Sequence, residues 1–127
     1  MNLDLAGKEV LSTLVEYSAV LHFSRGYTAR IESPFSITRA GERQNLSPDS
    51  DPQGSFQLLE ALLHRVVRRA EVDDSGALSL EFHNEAAIRV EPHDKYEAWA
   101  VSGPDGFLVV SLPGGGLAIW EAKNQSR

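Results

Sequence analysis

AVLHFSRGYTARIE (residues 19–32) and LSLEFHNEAAIRVE (residues 78–91) alternate apolar and polar side chains, the period of a strand with one buried face. Each alternation breaks once, at Ser24-Arg25-Gly26 and at His83-Asn84-Glu85, so each stretch reads as a hairpin. Gly26 supplies the positive φ that such turns favour. Leu21-x-Phe23 and Leu80-x-Phe82 stand at a constant offset of 59, and with no gap Arg30-Ile31-Glu32 then meets Arg89-Val90-Glu91. An alternating strand precedes each hairpin, at 10–15 and at 67–72. The chain therefore reads as two three-stranded meanders related by a pseudo-two-fold; the competing account is that any two alternating strands resemble each other.

Working outward, Pro34 closes the first meander, since proline cannot donate to a ladder, and Phe35-Ser36-Ile37-Thr38 reads as a short strand. Residues 39–54 are polar and rich in Ser, Pro, Asp and Gly, which predicts a loop. A helix is expected over about 52–66, capped by Asp51-Pro52 or by Ser55. Its apolar face comprises Phe56, Leu59, Leu62, Leu63, Val66 and Val67 at steps of three and four. After the second hairpin, Pro92-His93-Asp94 breaks the pattern, and strands are expected at 96–101, 107–112 and 117–120. Turns at 102–106 and 113–116 separate them, and 122–127 read as a frayed tail. The expectation is one α+β domain: a curved antiparallel sheet from two meander-like halves, with one main amphipathic helix on its concave side.

The 127 residues match the usual size of one domain. There are no cysteines, which removes disulfides, thiolate metal sites and a cysteine nucleophile. No stretch approaches the ~18 apolar residues of a membrane span, and the first residues lack the basic-then-apolar pattern of a signal peptide. A cytoplasmic location is expected. The net charge is −6, with eight acids balanced by eight bases in residues 1–70 and ten acids against four bases in 71–127. Such a surplus disfavours nucleic-acid binding, which needs a basic stripe, and suits a basic protein partner or a plain solvated surface.

The C-terminal third carries distinctive residues: Asp94-Lys95-Tyr96-Glu97-Ala98-Trp99, then Gly103-Pro104-Asp105-Gly106, then Leu112-Pro113-Gly114-Gly115-Gly116-Leu117-Ala118-Ile119-Trp120. Together with Tyr17-Ser18-Ala19-Val20-Leu21 and Arg30-Ile31-Glu32-Ser33-Pro34-Phe35, they resemble a family of short proteins of unknown function common in actinobacteria. That resemblance implies no catalytic residues. A looser analogy, resting on size, acidity and fold class, is to immunity proteins that neutralise secreted toxins.

Motif tests for chemistry are weak throughout. His22 alternates with Leu21 and Phe23 and so faces solvent, His64 lies near the expected helix end, and His83 is in a turn. His93 alone has a carboxylate next door, and no metal-ligand spacing occurs; no metal and no cofactor are expected. No serine stands in a nucleophile elbow. Gly114-Gly115-Gly116 runs into a strand, which marks a hairpin turn and not a phosphate loop. The candidate binding residues are Glu91, Asp94, Tyr96, Glu97 and Trp99, acids and aromatic anchors around a proline-broken strand, with Trp99 expected in the core. The expected function is a non-catalytic protein-binding module, in its sharper form an immunity-type inhibitor of a basic toxin. The alternative is a small enzyme or small-ligand-binding domain using residues 91–99.

Overall fold

Alternation does produce strands, in registers that place one side of most of them in a common core. The computed structural model describes residues 1–48 and 57–123. Among them are β1 (Val10–Val15), β2 (Ala19–Phe23), β3 (Thr28–Ile31), β4 (Phe35–Arg39), β5 (Glu42–Leu46), β6 (Val67–Val72), β7 (Leu78–Phe82), β8 (Ala87–Val90), β9 (Trp99–Ser102), β10 (Leu108–Ser111) and β11 (Leu117–Trp120). They form two antiparallel sheets, ordered β1-β2-β3-β9-β10-β11 and β5-β4-β8-β7-β6. One buried cluster unites them, with Leu21, Ile31, Trp99 and Val109 from the first and Ile37, Leu78, Leu80, Phe82 and Ile88 from the second. Burial of such side chains contributes ~1.5–3 kcal/mol each.

The two meanders are β1-β2-β3 and β6-β7-β8, and their equivalence extends to irregularities. Val10 pairs with Phe23 and Val67 with Phe82, and each first strand carries a bulge directly after that pair. Where the meanders meet, their hydrogen bonds are reciprocal. Val10 N–H donates to Arg65 O and Val67 N–H to Lys8 O, at 2.8 and 2.9 Å; His64 N–H donates to Val10 O and Gly7 N–H to Val67 O, both at 2.8 Å. Each bond is the image of the other under an offset of 57, and Glu9 bridges its own counterpart Val66. A two-fold relating antiparallel segments has to pass between such a pair. The third strand of each meander then pairs with the strand following the other one: β3 with β9, and β8 with β4. Each sheet thus draws on both halves.

This architecture corrects the expected α+β fold. Of the described residues 48% are strand and 11% helical, so the chain is a two-sheet, mostly β protein and not one curved sheet with a main helix. Of the helix expected over 52–66, only α1 (Gln57–Glu60) forms among the described residues, followed by turns over 61–64. The caps proposed at Asp51, Pro52 and Ser55 lie outside the described residues. The apolar spacing still marked buried positions: Leu59 and Leu62 are in the core, while Leu63 is exposed. The loop expected over 39–54 contains β5, an edge strand of mostly polar residues whose Leu46 alone is buried. In the tail, Lys123 N–H is held by Asp105 O at 2.8 Å, and 124–127 lie outside the described residues.

Leu5 and Leu62 are equivalent under the two-fold and both are buried; each carbonyl accepts from the residue three further on, Lys8 and Arg65. Leu5→Ala and Leu62→Ala should each cost ~2–5 kcal/mol, and by similar amounts, read from urea unfolding midpoints. A large loss from one and none from the other would break the equivalence.

Candidate functional site

Where the halves differ, the difference lies in the connections. The β3–β4 link is three residues (32–34), whereas its counterpart between β8 and β9 is eight (91–98). That longer link runs to one end of the six-stranded sheet. There it meets the β1–β2 turn, the exit of β3 and the β10–β11 turn. Tyr17, Glu32, Tyr96, Glu97 and Pro113 line a cleft of about 600 Å³ at this point. Tyr17 is 79% exposed and Tyr96 41%. The long link is anchored along its length. His93 stacks on Tyr96 with ring centroids 3.6 Å apart, its ring Nδ1 accepts from Lys95 N–H, and its carbonyl accepts from Gly114 N–H.

The walls of the cleft rest on the core. Tyr96 and Glu97 face outward, whereas the next two residues, Ala98 and Trp99, are buried. The Trp99 indole N–H donates to Gly76 O at 3.2 Å, bridging to the β6–β7 turn of the other sheet. Gly76 has φ +91°, and a Cβ there would collide with the Gly115 carbonyl; one on Gly115 would lie 2.6 Å from Ser75 O. The triple glycine is therefore a turn that lets two hairpin tips interlock, with Pro113 carried to the cleft. Ser33 and Ser111, at the ends of β3 and β10 nearest the cleft, keep buried hydroxyls without a partner among the described residues. An unmet buried hydroxyl costs ~1–3 kcal/mol.

Charges at equivalent positions are handled in opposite ways. In the second half, the Arg89 guanidinium reaches Glu91 at 2.6 Å through Nε and Asp73 at 3.1 Å through Nη2. In the first, the equivalent Arg30 donates to the Ser18 hydroxyl at 3.1 Å. The Glu32 carboxylate, equivalent to Glu91, has no partner among the described residues, and neither has Glu97. The cleft lining thus combines two open carboxylates with two tyrosines. Chemically, that set accepts a cation or a donor-rich group.

The model of a "Family of unknown function (DUF6188)" matches residues 1–121. The chain belongs to that family. No curated protein and no solved structure matches it. No helix among the described residues is long and apolar enough to cross a membrane, and no described group of three or more His, Cys, Asp or Glu could hold a metal ion.

Of the residues singled out from sequence, Tyr96 and Glu97 line the cleft. Glu91 lines a separate depression with Pro34, Phe35, Arg43 and Arg89. Asp94 is exposed in the long link, and Trp99 is in the core. Tyr17, Glu32 and Pro113 were missed. Only the alignment of Glu32 with Glu91 could have drawn attention to one of them. His64 adopts φ +69° and pairs with Glu9 at 2.9 Å instead of capping a helix.

Asp73 shows what the closed half gains. The Ser75 hydroxyl, against a desolvation penalty and together with Ala77 N–H, Arg89 and Ser75 N–H, holds its carboxyl well below the usual carboxylate range. A depressed pKa contributes stability that is present above the unfolded value near 4 and is lost as pH falls through the folded one. Asp73→Asn should therefore lower the unfolding midpoint at pH 7, and the gap from wild type should narrow as pH drops below about 4. An equal gap at pH 7 and pH 3 would show that Asp73 acts through turn shape and not through charge.

Proposed function

We propose that this chain is a non-catalytic protein-binding module whose contact surface centres on the cleft at the end of the six-stranded sheet. The observation that carries the reading is the pairing of two exposed tyrosines with two unpartnered carboxylates on a rim anchored to the core. Exposed aromatic side chains are the usual anchors of protein interfaces, and open acids favour a partner of opposite charge. The acid surplus of residues 71–127 acts in the same direction over longer range. The sharper form of the proposal is an immunity-type inhibitor that masks a basic surface of a toxin, working in the cytoplasm.

The test is association kinetics against an isolated basic partner, for wild type and for the Glu32→Gln/Glu97→Gln variant, at two salt concentrations. Association of wild type should slow markedly with salt, because screening shortens to ~8 Å at physiological ionic strength. The variant should associate more slowly at low salt and respond less to salt, with an unchanged unfolding midpoint, since exposed charges contribute little to stability. The same salt response in both proteins would reduce the cleft acids to a solvated surface.

A further inference from the structure

The pseudo-two-fold allows one half of the molecule to be read against the other, and it bears on what the cleft accepts. At the Arg-x-Glu position of the second half, the Glu91 carboxylate takes a guanidinium, that of Arg89. At the same position of the first half the guanidinium has been drawn away: Arg30 is bonded to Ser18, beside Tyr17 in the β1–β2 turn. Glu32 is left open at this end of the sheet. The five extra residues of the long link place Glu97 and Tyr96 on the same cleft. No lysine, arginine or histidine is among its lining residues.

We propose that the cleft receives an arginine side chain of a partner protein, its guanidinium between the Glu32 and Glu97 carboxylates and its flat face against the Tyr17 ring. This rests on the protein-binding reading and names the group that reading leaves open. Arginine is favoured over lysine on two grounds. A planar, five-donor guanidinium can serve two carboxylates and stack on an aromatic face at once, whereas an ammonium is a compact, strongly hydrated point charge. The equivalent carboxylate in this same chain is already satisfied by a guanidinium. The Tyr96 ring, stacked on His93, lines the same cleft and offers a second aromatic surface.

The experiment follows amide and tyrosine ring resonances of the isotope-labelled full chain during titration with N-acetyl-arginine methylamide. The lysine analogue and the citrulline analogue, neutral but of arginine's shape, run in parallel. The arginine probe should give saturable shifts confined to Tyr17, Glu32, Tyr96, Glu97 and their neighbours, with citrulline giving none and lysine binding more weakly. Glu32→Gln or Glu97→Gln should weaken the arginine probe about tenfold, the loss of one charge-assisted pair. Glu91→Gln should leave it unchanged. Every substituted side chain is exposed, and an unperturbed spectrum away from the cleft checks the fold of each variant. Shifts with citrulline equal to those with arginine, equal affinity for lysine, shifts centred on Glu91, or no shifts at all would each overturn the proposal. A partner that still associates with salt-dependent kinetics while the probe fails would refute the arginine site and leave the binding module standing. If the probe binds but no basic partner shows salt-dependent association, the module reading falls instead.

Discussion

Backbone groups of residues 7–10 and 64–67 exchange hydrogen bonds in mirrored pairs about the Glu9–Val66 bridge, and most of the architecture follows from that contact. It brings the starts of β1 and β6 together with their bulges matched, so both meanders run away from the axis in equivalent directions. Each third strand is then brought to the strand that follows the other meander. Neither half can complete a sheet alone, because β3 needs β9 and β8 needs β4. A net ~0.5–1.5 kcal/mol for each of these bonds is modest; their importance lies in the register they impose, since a one-residue slip would turn every inward side chain outward.

The same contact explains why the expected helix does not continue beyond Glu60. Leu59, Leu62, Val66 and Val67 recur at helical spacing, and Leu59, Leu62 and Val67 are indeed fully buried. Yet the N–H groups of His64 and Val67, which a helix would direct four residues back, go to Val10 and Lys8. Tertiary pairing outbids local propensity here, and His64 takes positive φ, as its counterpart Gly7 does, to make the turn. A single-sequence periodicity carries burial but not the destination of backbone donors. β5 escaped notice for the opposite reason. An edge strand with one face on solvent can consist of Glu42, Arg43, Gln44 and Asn45, so its sequence looks like a loop.

β2, β7 and β11 span the residues expected of them, and in β7 alternation and burial coincide residue by residue. Two of the five cleft residues were legible as well, Tyr96 and Glu97 beside a proline-broken strand. The other three were not, since Tyr17, Glu32 and Pro113 lie far apart in sequence and meet only because β1, β3 and β10 share a sheet with β9. Glu91 and Asp94 looked like partners of Tyr96 along the chain. Once β8 pairs with β4, however, Glu91 belongs to the other sheet and to Arg89.

A pseudo-symmetric frame also changes what counts as a functional signal. Features present in both halves, such as the bulges, the reciprocal bonds and the Leu5 and Leu62 pair, are accounted for by folding. Features present in one half only need another explanation. The longer β8–β9 link, the interlocked Gly76 and Gly115 turns and the open Glu32 all fall in that second class, and the link, the β10–β11 turn and Glu32 converge on one end of the six-stranded sheet. The Trp99–Gly76 bond and the His93–Gly114 bond tie the long link and the residue after it to two hairpin turns. Tyr96 keeps a 41% exposed ring stacked on His93, and the three-residue β3–β4 link of the other half has no aromatic residue to make an equivalent stack.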